Sequence, residues 1–185
     1  LSIANVSSNK VYAYANEKQF KAFLKKTIAF TVIEQQAIKS THKSTGSLSY
    51  LYYDEYLAAM DTFVSNHPAL CKLVHFGNSE EGRKLLALKI SDNVNDDEPE
   101  PAFLYTASMH GNEPVGFVLM IELIHYLLTN YNENPQINWL VNNIEIWINP
   151  LANPDGFYNP GDNDYSSATR FNSNGVDLNR NFPDP

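Results

Sequence analysis

An imidazole and a carboxylate stand close together in Met109-His110-Gly111-Asn112-Glu113-Pro114, directly after the apolar run Ala102-Phe103-Leu104-Tyr105-Thr106-Ala107. The run reads as a strand, and a loop leaving a sheet holds its side chains firmly while keeping them open to a ligand. Histidine and glutamate supply two of the three protein ligands of a hydrolytic His₂Glu zinc site, whose fourth position stays open for water. The pair also fits a plainer role. A strand-end histidine can bond a backbone carbonyl, and a carboxylate is favoured at a helix N-terminus by the macrodipole.

Three further features bear on that choice. Asn153-Pro154-Asp155-Gly156-Phe157 follows another strand-like run and is a strong turn sequence. Arg170 lies where no apolar pattern requires it. Gly175-Val176-Asp177-Leu178-Asn179-Arg180-Asn181-Phe182-Pro183 sets an Asn–Arg pair beside apolar residues in a polar loop. Arginine binds carboxylates through two parallel hydrogen bonds, so Arg170 and Arg180 suit an anion or a developing oxyanion. Asp177 can accept a proton from a ligand histidine and so orient it. Each feature alone is explained by a turn or a solvated charge, but their coincidence is not.

The elements that must position these residues alternate in type from Tyr50 onward. Tyr53, Leu57, Met60 and Val64 recur at helical spacing and stop at the His67-Pro68 break. Strands are expected at Leu73–Phe76 and Leu85–Ile90, joined by Gly77 to Arg83 as an antiparallel pair. The Ala102 strand is expected at the centre of the complete sheet, exposed on one side in this chain. Pro114 suits a helix first turn. The helix then runs to about Asn130, with Val115, Val118, Leu119, Glu122, Leu123, Tyr126 and Leu127 in its period. Ile144–Asn149 is a further strand. Leu151 to Pro185 reads as loop, and a loop this long within a domain is usually functional. The fold class is α/β, a mixed parallel and antiparallel sheet flanked by helices.

Upstream, Val11–Ala15 reads as a strand, Asn16 as the N-cap of a helix bearing Phe20, Phe23 and Leu24, and Ile28–Ile33 as a second strand. This strand–helix–strand piece, residues 1–40, is too short to bury its own core. The polar stretch 41–49 reads as a linker, and residues 50–185 as the second unit.

Of the 185 residues 43% are hydrophobic, enough for a sizeable core rather than a disordered chain. The net charge of −8 is spread over loops such as Asp96-Asp97-Glu98-Pro99-Glu100 and argues against a nucleic-acid partner. The single cysteine, Cys71, excludes an internal disulfide and a thiolate-rich metal site; its strand-like surroundings suggest a buried, inert thiol. No apolar run approaches the ~20 residues of a membrane span. The chain opens on Leu1, which suggests that a preceding segment has been removed.

His110-Gly111-Asn112-Glu113, Asn153-Pro154-Asp155-Gly156 and Gly175-Val176-Asp177-Leu178-Asn179-Arg180-Asn181-Phe182, in this order, resemble the zinc carboxypeptidases of the carboxypeptidase A and carboxypeptidase N/E superfamily. The resemblance covers Tyr50 to Pro185 and includes the Gly77–Arg83 hairpin. It implies that His110 and Glu113 bind Zn²⁺ and that Asp177 orients His110. It further implies that Arg170 polarises the scissile carbonyl, and that Asn179 and Arg180 grip the terminal carboxylate of a peptide or protein substrate. Asn112 stands where the pancreatic branch has an arginine, so the motif is closer to the regulatory or bacterial branches. The family's third ligand, a later histidine, and its general-base glutamate and capping tyrosine are expected beyond Pro185. The catalytic domain is thus expected to be cut near its middle, and this chain alone to be inactive. Residues 1–40 faintly resemble the end of a carboxypeptidase pro-domain, and secretion or a periplasmic location is expected by analogy.

Two other functions share these motifs. An N-acyl amino-acid deacylase of the aspartoacylase or succinylglutamate desuccinylase type has similar HGNE and DLNR segments. A binding module that kept the fold and lost catalysis is the non-enzyme alternative. Asn153-Pro154-Asp155-Gly156 and the Gly77–Arg83 hairpin favour the peptidase.

Overall fold

The structure, a computed structural model, describes residues 2–7, 9–33 and 50–183. The expected linker at 41–49 lies outside the described residues. The N-terminal piece is a hairpin followed by a helix rather than strand–helix–strand. Strand β1 (Ser2–Ser7) pairs antiparallel with β2 (Lys10–Tyr14), and helix α1 (Glu17–Phe23) follows. Asn16 caps α1 as expected, accepting from the Gln19 N–H at 2.8 Å while the Gln19 side chain accepts from its own N–H at 3.2 Å. Among the described residues the expected strand at Ile28–Ile33 has no ladder partner. Instead Phe30 packs edge-on against Phe20 and Phe23 at 5.7 and 5.5 Å between ring centres. Aromatic contact with the helix, not sheet pairing, takes up this apolar run.

Helix α2 (Tyr53–Asn66) begins where the Glu55 side chain accepts from the Tyr52 N–H at 2.9 Å. It ends at His67, because Pro68 disfavours helical backbone in the residue before it. Tyr56 and Met60 are its fully buried positions. Strand β3 (Cys71–Asn78) turns back into β4 (Lys84–Ile90) as the expected antiparallel hairpin. β4 is buried from Leu86 to Ile90 because strands lie on both its edges; the sheet order is β3-β4-β6-β5, with β5 at Ala102–Thr106 and β6 at Glu145–Asn149. β4 and β6 are antiparallel, β5 and β6 parallel, so the mixed sheet is borne out. A parallel pair needs a crossover. Helices α3 (Val115–Asn130) and α4 (Pro135–Val141) supply it. α4 hides behind an Asn134-Pro135 step that resembles a turn. In fact Asn134 Oδ1 accepts from the Gln136 N–H at 2.9 Å, and Pro135 opens the helix.

β5 agrees with the expectation of a strand open on one side in this chain, whereas α3 differs from its expected face in part. Among the described residues β5 is an edge strand, and all five of its positions are exposed, Phe103 at 53% and Leu104 at 62%. α3 buries a face only partly the one expected. Val118 and Leu127 are in the core as expected, joined by Phe117, Ile124 and Leu128, while Val115, Leu119 and Tyr126 face outward. A helix apolar around most of its circumference has no preferred side by periodicity alone, so sheet contact decided it. The core joins Tyr56, Met60, Leu88, Ile90, Phe117, Ile124, Ile148, Phe157 and Tyr158. No helix among the described residues is long and apolar enough to cross a membrane.

Cys71 is 1% exposed, donates to the Phe63 carbonyl at 3.3 Å, and burial pushes its thiol pKa up to about 11. Because the thiolate is the nucleophile, the folded protein is expected to resist iodoacetamide at pH 8 and to react only after denaturation. Stoichiometric alkylation of native protein, read by mass spectrometry, would contradict a sealed thiol.

Candidate active site

The loops leaving parallel strands β5 and β6 run side by side. Their backbones are joined by hydrogen bonds from Ala107 N–H to Asn149 O, Ala152 N–H to Ala107 O and Asn153 N–H to Ser108 O, at 2.9–3.1 Å. Ser108 sits at φ 52°, a left-handed conformation that costs a non-glycine residue roughly 1–2 kcal/mol. The pairing to Asn153 and a hydrogen bond from its own hydroxyl to Glu113 O at 3.2 Å hold it there. The chain then closes a tight turn, Glu113 N–H to His110 O at 3.1 Å, which brings the two candidate side chains together.

His110 is buried, and both ring nitrogens are engaged. Nδ1 lies 3.0 Å from Glu113 Oε1, and Nε2 lies 3.2 Å from Asp177 Oδ1. Asp177 is buried too; its Oδ2 accepts from Arg170 Nε at 2.9 Å, and its Oδ1 accepts the Asn179 N–H at 3.0 Å. Arg170 Nη1 reaches to 3.7 Å from Glu113 Oε1. Four of the expected site residues, His110, Glu113, Arg170 and Asp177, therefore form one chain of contacts. Asn179 and Arg180 follow on a single 3₁₀ turn (Leu178–Arg180) for which Asp177 is the N-cap. Both are exposed, with Arg180 Nη1 donating to Asn179 O at 2.8 Å.

The donor set fits a zinc ion. Two donors on one tetrahedral Zn²⁺, at bond lengths of about 2.0–2.1 Å, stand roughly 3.3 Å apart, and Nδ1 and Glu113 Oε1 are 3.0 Å apart. With Nε2 directed at Asp177, Nδ1 is the nitrogen left for a metal. Among the described residues no third ligating side chain completes that pair. Asp92, Glu98 and Glu100 do cluster elsewhere, but an all-carboxylate group suits a hard cation, not a His₂Glu centre. Burial and then repulsion from Glu98, Asp92 and Glu145 hold the Glu100 carboxyl above its ordinary range.

Asn153-Pro154-Asp155-Gly156 has the composition of a turn and is one of the three motifs; in the structure it packs directly behind the His110 loop. It is a short helix, α5 (Pro154–Phe157), entirely buried. Asn153 caps it, accepting from the Gly156 N–H at 3.0 Å, and donates from Nδ2 to Met109 O at 3.2 Å. Gly111 lies so close that a Cβ there would stand 2.0 Å from the Gly156 carbonyl carbon, and a Cβ on Gly156 would stand 2.5 Å from Phe171 O. The glycine of the first motif, that of the second, and the backbone beside Arg170 are thus stacked without room for a methyl group. Arg83, a second unanticipated residue, is buried against Asp155, Asp162 and Glu81. Burial works to lower its pKa, but its hydrogen bonds to these carboxylates outweigh that and hold it above the ordinary range. The usable signal was a charged residue beside a glycine turn next to a strand.

Residues 56–185 match the family model described as zinc carboxypeptidase. The chain belongs to the zinc carboxypeptidase family. It is 44% identical over 124 residues to carboxypeptidase D of Homo sapiens, covering 66% of this chain and 9% of that protein. Among solved structures it is similar to the carboxypeptidase A of Helicoverpa armigera, with TM-score 0.62 and 26% identity, over 94% of this chain and 42% of that one. A crystal structure of thrombin activatable fibrinolysis inhibitor shares the fold at TM-score 0.65 and 22% identity, over 80% of this chain and 39% of that one. The chain spans about a tenth of the length of the carboxypeptidase D relatives it matches. All three zinc carboxypeptidase motifs lie inside the matched residues.

Proposed function

We propose that these residues form part of the active site of a zinc-dependent metallocarboxypeptidase that removes C-terminal residues from peptides or proteins. The observation that supports this best is His110, buried between two carboxylates, with Nδ1 toward Glu113 and Nε2 toward Asp177. His110 Nδ1 and the Glu113 carboxylate would hold Zn²⁺. When bound, zinc lowers the pKa of its water and polarises a carbonyl. Asp177 keeps the proton of His110 on Nε2 and so makes Nδ1 the metal-binding nitrogen. Arg170, held by Asp177, would turn its guanidinium toward the oxygen on which charge develops as the peptide carbonyl is attacked. Asn179 and Arg180, exposed at the rim, would hold the substrate's terminal carboxylate.

The third ligand and the general base would lie beyond Pro185, and this chain alone would be inactive. Residues 1–40 would be a pro-domain-like segment: Tyr14 places its ring 5.3 Å from the Arg170 guanidinium, and Asn16 Nδ2 donates to Gly175 O. Secretion or a periplasmic location would follow from the family likeness alone. Membership of the zinc carboxypeptidase family supports a peptidase over an N-acyl amino-acid deacylase.

Zinc affinity tests the site. The 185-residue chain is expected to bind Zn²⁺ weakly, since an incomplete ligand set offsets less of the entropy of ordering it. His110→Ala should abolish even that, as read by isothermal titration. In the full-length protein, Asp177→Asn should weaken zinc roughly 10–100-fold. Tight stoichiometric binding by the chain would refute the claim that a ligand is missing, and indifference to both substitutions would refute this site. Cleavage of N-acyl amino acids with no action on peptides would favour the deacylase.

A further inference from the structure

We infer that Asp155 and Arg83 are positioning residues for Arg170, acting through the loop that carries it. This rests on the role proposed above for Arg170. Asp155 has its side chain 1% exposed and receives four donors: Ser79 Oγ at 2.7 Å, the Glu81 N–H at 3.1 Å, Arg83 Nη1 at 2.8 Å and Ser173 Oγ at 3.3 Å. Arg83 also binds Glu81 Oε2 at 2.6 Å and Asp162 Oδ1 at 2.7 Å, and donates from Nη2 to Tyr158 O at 3.4 Å. The pair therefore bolts α5 to the β3–β4 hairpin loop and to the chain at Asp162.

α5 also holds the Arg170 loop at two points. Before Arg170, the Thr169 N–H donates to Gly156 O at 2.7 Å; after it, Ser173 Oγ donates to Asp155. Arg170 is thus suspended between two anchors that both belong to α5. A four-residue helix has too little backbone bonding to stay rigid by itself. What fixes it is a buried ion pair, an arrangement that contributes little stability over an apolar replacement of the same volume but enforces one geometry. An oxyanion donor needs that enforcement, because its effect falls off steeply with misplacement. The Gly77–Arg83 hairpin thereby gains a purpose: it is the rigid footing on which the catalytic guanidinium is set.

The test is a double-mutant cycle in the full-length, zinc-loaded protein. Asp155→Asn keeps the size of the side chain and removes the charge that meets Arg83. Ser173→Ala removes only the second anchor, from an exposed position that does not threaten folding. Asp155→Asn is expected to lower kcat on a peptide substrate about tenfold, and Ser173→Ala about threefold, with KM and zinc content unchanged. Ser173→Thr, which retains the hydroxyl, should restore kcat. In an Arg170→Ala background neither substitution should lower kcat further, because the group they position is gone. The inference is overturned if either variant loses as much in that background as in the wild type. It is also overturned if both variants lower only the melting temperature or raise only KM. Should Asp155→Asn fail to fold, Ser173→Ala, Ser173→Thr and their Arg170→Ala doubles decide alone. A different failure, Arg170→Ala leaving kcat intact, would strike the proposed role of Arg170 itself.

Discussion

Arg170→Ala in the full-length protein is expected to lower turnover on a peptide substrate roughly 10²–10³-fold, with a smaller change in KM. The buried guanidinium is tied to Asp177 through Nε and stands 3.7 Å from the Glu113 carboxylate through Nη1. It is therefore fixed before substrate arrives, and its proposed partner is a charge that would exist only once the carbonyl is attacked. An interaction made only in the transition state is lost from kcat. Arg180 should behave differently. It is exposed, its backbone is placed by the turn that Asp177 caps, and its proposed partner is a carboxylate already present in the substrate. Arg180→Ala should raise KM and weaken the preference for a free C-terminus. Both variants can be assayed on a peptide and on its C-terminal amide. Full retention of the free-acid preference in Arg180→Ala, or an effect of Arg170→Ala on KM alone, would show that the roles are assigned wrongly.

The second large effect is on stability, at a residue with no functional group. Gly111→Ala should destabilise the full-length protein by about 3 kcal/mol or more. Its Cβ would meet three backbone atoms of Gly156 and Phe157 at 2.0–2.4 Å. Backbone cannot swing aside as a flexible side chain can, so His110 or α5 must move, and zinc affinity should fall with stability. Gly156→Ala should act similarly, since its Cβ would stand 2.5 Å from Phe171 O and 2.9 Å from Thr169 O. Gly161→Ala is the control: nothing lies within 4 Å of its Cβ, and a change within about 0.5 kcal/mol is expected. Chemical denaturation midpoints at constant slope measure all three. If Gly111→Ala matched Gly161→Ala, the close stacking of the motifs would be refuted.

Local features of this chain were legible wherever the cause was local. Asn16 caps its helix because its side chain bonds an amide three residues on. The Cys71–Asn78 and Lys84–Ile90 strands pair antiparallel because one short loop joins them. His110 and Glu113 meet because they share a single turn. Membership of the zinc carboxypeptidase family was readable from these motifs.

Where two options were locally equal, the sequence alone did not choose. Ile28–Ile33 has strand-like composition, but its Phe30 packs on Phe20 and Phe23 instead. α3 is apolar on opposite sides, so only contact with the sheet determined that Phe117 and Ile124 are buried and Val115 and Leu119 are not.

What the sequence by itself determined is therefore the long helices and strands from Tyr53 to Asn149, the mixed α/β architecture and the identity of the candidate metal-binding pair. Tertiary structure decided which distant groups complete the site. His110 and Asp177 are 67 positions apart, and Arg83 and Asp155 are 72 apart. No periodicity links such pairs, because their proximity is a property of how β5, β6 and α5 converge at one end of the sheet. The motif around Asp155 shows the difference most clearly. Its turn chemistry is local and was visible, but its burial against an arginine from another loop exists only once the core has formed around both.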